Sequence, residues 1–164
     1  MTPIKSLIAG ALFALTATAA IAEVQSHEVH RFKDWHVDFN QGDNFAWCSA
    51  ATGNFHVNAN QDGSYELQVV VPGAAFSDYE APFSIQVDRG SRYIMSDATY
   101  IGVSIFSKNI KEEVVIALAT GGQVHTFNTV DEYVESFTLA GSKAAIIALY
   151  ECQQKLPAPQ TPTY

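Results

Sequence analysis

The chain carries five histidines, and imidazole is the side chain best suited to bind a metal or move a proton near neutral pH. Two of them frame the run His27-Glu28-Val29-His30. A zinc-protease helix requires His-Glu-x-x-His, because the i, i+4 spacing sets two imidazoles on one face. Here the spacing is three, within a stretch that reads as strand. A second set is His30, Asp34, His36 and Asp38. Alternate strand residues point to one side, so these would offer two nitrogens and two carboxylates to a metal. They equally describe the solvent face of a strand whose other side carries Trp35, Val37 and Phe39. The second reading is the simpler one, and neither a metal nor a cofactor is expected.

Nucleophilic chemistry has less support. Gly141-Ser142-Lys143 has no Gly-x-Ser-x-Gly frame and no Ser-x-x-Lys spacing, and Ser142 suits the N-cap of a helix. Glu112 and Glu113 are adjacent and would diverge on a helix, where a first-turn position accounts for their charge. Gly121-Gly122 follows a helical stretch instead of opening one, which excludes a phosphate loop. No enzyme is expected. Four aromatics, Phe45, Trp47, Phe76 and Tyr79, fall in or beside expected loops and are the candidates for an interaction surface.

The elements that must position these residues begin after an export signal. Lys5 precedes an apolar run from Leu7 to Ala20, and Ala20-Ile21-Ala22 predicts cleavage between Ala22 and Glu23. The run is too short to be a membrane span, which needs about 20 residues. The mature protein is therefore expected in the periplasm or outside the cell. Residues 1–22 hold one of the nine Lys/Arg and none of the 17 Asp/Glu, so the rest has a net charge of 8 − 17 = −9. That field opposes binding to nucleic acid or an anionic membrane surface. Two cysteines, Cys48 and Cys152, in an oxidising compartment predict one disulfide.

Residues 23–155 fit one domain, and the proline-rich stretch 156–164 reads as a disordered tail. From Val29 to Val71 apolar and polar residues alternate, with Asp62-Gly63 as a hairpin turn between Phe55-x-Val57-x-Ala59 and Tyr65-x-Leu67-x-Val69. Residues 74–82 read as a loop. Strands are expected around Phe83–Val87, Tyr93–Met95, 99–106, 123–128 and 133–139. Between them Ile110, Val114, Ala117 and Leu118 form a helical stripe that Asn109 can cap, with Glu112 completing a capping box. A final helix from Gly141 to Gln154 places Ala145, Ala148, Leu149 and Cys152 on one stripe. The expected fold is mainly β (α+β): a single antiparallel β-sandwich or barrel-like domain with a mid-chain helix and a C-terminal helix.

Two phrases, Trp35-x-Val37 with Trp47-Cys48-Ser49-Ala50, and Phe137-Thr138-Leu139-Ala140-Gly141-Ser142-Lys143-Ala144-Ala145 with Ala148-Leu149 and Cys152, resemble the invasion-associated locus B family of alphaproteobacterial secreted proteins. Ile85-x-Val87-Asp88-x-Gly90 and the helix ending at Gly121-Gly122 fall between them in the family's order. The resemblance implies a link to envelope or host-surface interaction and brings no catalytic residues with it. The expected function is a non-catalytic exported protein whose partner is an unidentified protein or envelope component. The alternatives are a metal-binding protein or metal-dependent enzyme built on His30 and His36, and a periplasmic inhibitor or chaperone-like module using an exposed sheet edge.

Overall fold

A computed structural model describes residues 24–128 and 132–158. The expected signal segment, its cleavage point and the tail beyond residue 158 lie outside these residues. Ten strands form one antiparallel sheet: β1 (Gln25–Phe32), β2 (Trp35–Gln41), β3 (Ala46–Thr52), β4 (Phe55–Asn60), β5 (Tyr65–Val70), β6 (Phe76–Val87), β7 (Arg92–Gly102), β8 (Ser104–Ser107), β9 (Gln123–Phe127) and β10 (Tyr133–Thr138). Two helices, α1 (Glu112–Thr120) and α2 (Ser142–Gln153), complete the domain. The mainly-β fold with a mid-chain and a C-terminal helix is the one expected from the sequence.

The strand order is β1-β2-β3-β4-β5-β8-β7-β6-β9-β10. Five strands follow in chain order because each turn is tight. At the β4–β5 turn Gly63 takes a left-handed φ of 87°, and the Asp62 carboxylate accepts the Ser64 N–H at 2.9 Å. The sheet then curls so that its far ends approach. Trp35 Nε1 on β2 donates to the Thr138 carbonyl on β10 at 3.3 Å, and the Phe55 and Phe137 rings lie 5.4 Å apart. Gly141 sits where any Cβ would collide with the Phe32 carbonyl, so glycine is required at this crossing.

Alternation decides the two faces. Trp35, Val37, Cys48, Ala50, Phe55, Val57, Leu67 and Val69 point inward and are fully buried. The helices cover this face: α2 lies across β1 to β4 and against α1. Its stripe of Ala145, Ala148, Leu149 and Cys152 is buried, and small side chains there let the helix sit close to the sheet. Cys152 is bonded to Cys48 on β3 with a Cα separation of 6.1 Å, as expected.

Four local expectations need correction. Residues 76–82 are not loop, because β6 starts at Phe76 and pairs with the nearly as long β7 across two irregularities. Residues 99–106 are not one strand, because Gly102 at φ 58° turns the chain between β7 and β8. Asn109 does not cap α1. It takes a left-handed φ of 53°, and the helix begins three residues later at Glu112, with Lys111 at the N-cap and no side-chain cap. Ser142 is the first residue of α2 and not its cap. Gly141 occupies the cap at φ 97°, and the Ser142 hydroxyl donates to the Leu118 carbonyl at 2.8 Å, tying α2 to α1.

Candidate functional site

The outer face of β2 to β5 is polar where the inner face is apolar. Register sets His36, Ala51, His56 and Gln68 in one row across the four strands, and Asp38, Ser49, Asn58 and Glu66 in the next. Small Ala51 and Ser49 on β3 leave the longer side chains of β2 and β4 room to lean together. His36 Nε2 lies 3.4 Å from Asp38 Oδ2, and Asn58 Nδ2 donates to Glu66 Oε1 at 3.4 Å.

Burial and charge tune this face. Partial burial pushes the His56 imidazole below its usual value, repulsion from His36 adds to that, and Asp38 offsets part of it. Burial pushes the Glu66 carboxyl up, against the Asn58 hydrogen bond and the Lys108 charge. The face therefore holds an imidazole reluctant to take up a proton and a carboxyl reluctant to ionise.

Of the four residues expected on one strand face, the structure brings His36 and Asp38 together and separates the others. An irregularity between Glu28 and His30 puts His30 opposite Val37, on the other side of the sheet from His36. Asp34 lies in the β1–β2 turn, next to Lys33 at φ 51°. Among the described residues no three His, Cys, Asp or Glu side chains converge in a metal-binding group. His56 and Glu66 escaped the sequence reading, although the alternation of Phe55, Val57 and Ala59 and the Asp62-Gly63 register together place them beside His36 and Asp38.

The aromatic candidates form two separate pairs. Phe45, 49% exposed, stacks on Trp47 at 5.5 Å near the β2–β3 turn. Phe76 and Tyr79 both pack on the buried Tyr100, edge-on at 5.2 Å and stacked at 4.9 Å. Burial, with Tyr79 nearby, pushes the Tyr100 hydroxyl up to about 12, and it donates to the Pro82 carbonyl. Phe76 and Tyr79 thus serve mainly to cover Tyr100.

A large, mainly apolar opening lies between the helices. A groove of about 650 Å³ runs between α1 and α2, walled by Val115 and Ile116 on one side and Ile146, Ile147 and Tyr150 on the other, with Tyr65 at the sheet side. Ile116, Ile147 and Tyr150 are 55%, 53% and 55% exposed. The helix residues among these do not stand out in the sequence, because the helical stripes fall on Ile110, Val114, Ala117 and Leu118 and on Ala145, Ala148, Leu149 and Cys152. Comparison with known protein families, characterised proteins and solved structures finds no match.

Proposed function

We propose that this protein is a non-catalytic, exported module of the bacterial envelope that holds another protein or envelope component against the α1–α2 groove. The observation that carries the reading is the groove itself: three large apolar side chains, each more than half exposed, gathered on one opening. Clustered apolar exposure of this kind marks interaction surfaces, whereas scattered exposure does not. Polar Gln153 and Gln154 and acidic Glu112 rim the groove, the usual surround of such a patch.

Two further facts fit an exported protein. The Cys48–Cys152 bond suits an oxidising compartment, and among the described residues no helix is long and apolar enough to cross a membrane. The resemblance to the invasion-associated locus B family supports the same assignment and suggests a role at the envelope or host surface.

The test is site-specific photo-crosslinking in intact cells. A crosslinker replacing Tyr150 should give a discrete adduct, and the double variant Ile116→Glu, Ile147→Glu should abolish it while folding normally. A crosslinker at Gln68, on the polar outer face, should give none. An adduct indifferent to the double variant, or one formed equally from Gln68, would overturn the reading.

A further inference from the structure

Between β7 and the end of β8 the sheet has an interior gap. β7 pairs with β6 as far as Arg92, but with β8 only from Thr99 to Ile101. Among the described residues, 93–98 therefore have a strand on one edge and none on the other. The cause is local. β8 ends at Ser107, Asn109 turns left-handed, and Ile110 dives into the core, where its N–H donates to the Tyr65 carbonyl at 3.0 Å. The chain swings under the sheet to start α1, and a cleft of about 370 Å³ opens between residues 92–97 and residues 107–111.

An unpaired run of backbone N–H and C=O groups is a template for another strand. This one differs from the outer edges at β1 and β10, because β8 already lies in line with the empty place and sets its direction and level. The far wall carries Lys108 and Lys111, both exposed, two of the eight cations that follow residue 22 in a region of net charge −9. Glu113 stands 3.8 Å from Lys111, and Asp97 lies on the near wall. Ile94, paired with Ser84 on the outer face, is 72% exposed, the most exposed large apolar side chain described. Ser107 also lines the cleft, and its buried hydroxyl is the one buried side-chain polar atom among the described residues with no hydrogen-bond partner in the protein.

We propose that this cleft accepts an extended segment of a partner protein by β-augmentation, pairing with the free edge of β7 in line with β8. The unpaired backbone supplies affinity and the side-chain contacts supply selection. Alternate side chains of the incoming strand face opposite sides. One set packs over Ile94, and an acidic residue reaches Lys108 and Lys111. The segment is thus a short β-former carrying at least one carboxylate. This site is separate from the helix groove and does not depend on it.

The test selects random octapeptides displayed on phage against the mature protein, with the double variant Lys108→Glu, Lys111→Glu as counter-target. Both lysines are exposed, so the variant should fold. Selected peptides should carry Asp or Glu among β-branched or aromatic residues. They should slow amide exchange in residues 92–97 and lose about tenfold or more in affinity for the variant, more so at low salt. The variant Ile116→Glu, Ile147→Glu should bind them unchanged. Selection of peptides without acidic bias, protection at the helix groove instead of residues 92–97, or no binders at all would overturn the proposal. So would concentration-dependent self-association abolished by Lys108→Glu, Lys111→Glu, since the occupant would then be a second copy.

Discussion

The two halves of the sheet are built by different routes. β1 to β5 follow chain order, each strand laid beside its predecessor through a short turn. In the second half the chain leaves β5, skips two places to lay down β6, and returns through β7 and β8 to the strand it left. β8 must therefore fill a space already bounded on both sides, and only four of its residues do so, Leu67 meeting Ser107 forty positions later. A sheet laid in order closes as it grows, whereas one filled backwards leaves whatever its last strand fails to cover. The cleft beside β7 is that remainder. The halves are also fastened differently. α2 lies across β1 to β4 and is bonded to β3, while β6, β7 and β9 are held to one another by their own pairing.

The sharpest way to break this comparison is to remove the disulfide. The bond spans 104 residues, a loop for which chain entropy predicts about 4–5 kcal/mol, and engineered removals often cost somewhat less. The double variant Cys48→Ala, Cys152→Ala should lose about 3–4 kcal/mol in a urea melt. Native-state hydrogen exchange should show α2 and β2 to β4 opening before β6, β7 and β9. Equal loss of protection in both halves would mean that the sheet opens as one unit and that the fastening of α2 does not distinguish them.

A smaller effect sharpens the contrast between the faces of the first half. His56 is held below its ordinary value of 6.5 by burial and by His36. Below that pH the unfolded chain takes up a proton that the folded chain refuses, so stability should fall as pH drops from 7.5 through 6.5, levelling off once the folded imidazole is also protonated. Glu66 works in the opposite sense. Its raised value favours the protonated folded form, so acidification above its unfolded value of 4.5 adds stability. Stability measured across this range should flatten in His56→Gln near neutral pH and steepen in Glu66→Gln below it. A slope unchanged in His56→Gln would mean that the outer face is more open to water than its burial implies.

The first half was largely legible in the sequence because its information is local. Alternation assigned Trp35, Val37, Phe55, Val57, Leu67 and Val69 to one face, and Asp62-Gly63 set the register between two strands. Export and the helix stripe together pointed to the Cys48–Cys152 bond. What the sequence hid was the consequence of register between neighbours. His30 left the His36 face through one irregularity in β1, and His56 joined it from β4, neither visible from within a single strand. The second half was harder for the same reason carried further. Gly102 looked like a small residue in a strand and proved to be the turn. Asn109 looked like a cap and proved to be the left-handed residue that takes the chain out of the sheet. Both readings fit local propensity, and the tertiary path decided against them. The groove walls were missed because helix residues outside the core stripe are ordinarily solvated.

The smallest expected effect falls at Ser107 and bears directly on the unfinished half. Its side chain points to the core side, opposite Leu67, and the residue is 1% exposed, yet its hydroxyl has no hydrogen-bond partner among the described residues. Burying an unbonded hydroxyl costs about 1–3 kcal/mol by mutational measures, while removing one that makes no bond forfeits nothing but a little packing. In a completed sheet position a serine would be a poor choice, and alanine a better one. Ser107→Ala should therefore leave the free protein as stable as before or raise it by up to about 1 kcal/mol, read from the urea midpoint at unchanged slope. A buried serine that matters to the fold behaves otherwise: Ser142→Ala, which removes the bond to the Leu118 carbonyl between the helices, should cost about 1–2 kcal/mol. If Ser107→Ala proves as costly as Ser142→Ala, the hydroxyl is satisfied in solution. The end of β8 would then be a finished part of the core, and the free edge of β7 would rest on backbone pairing and charge alone.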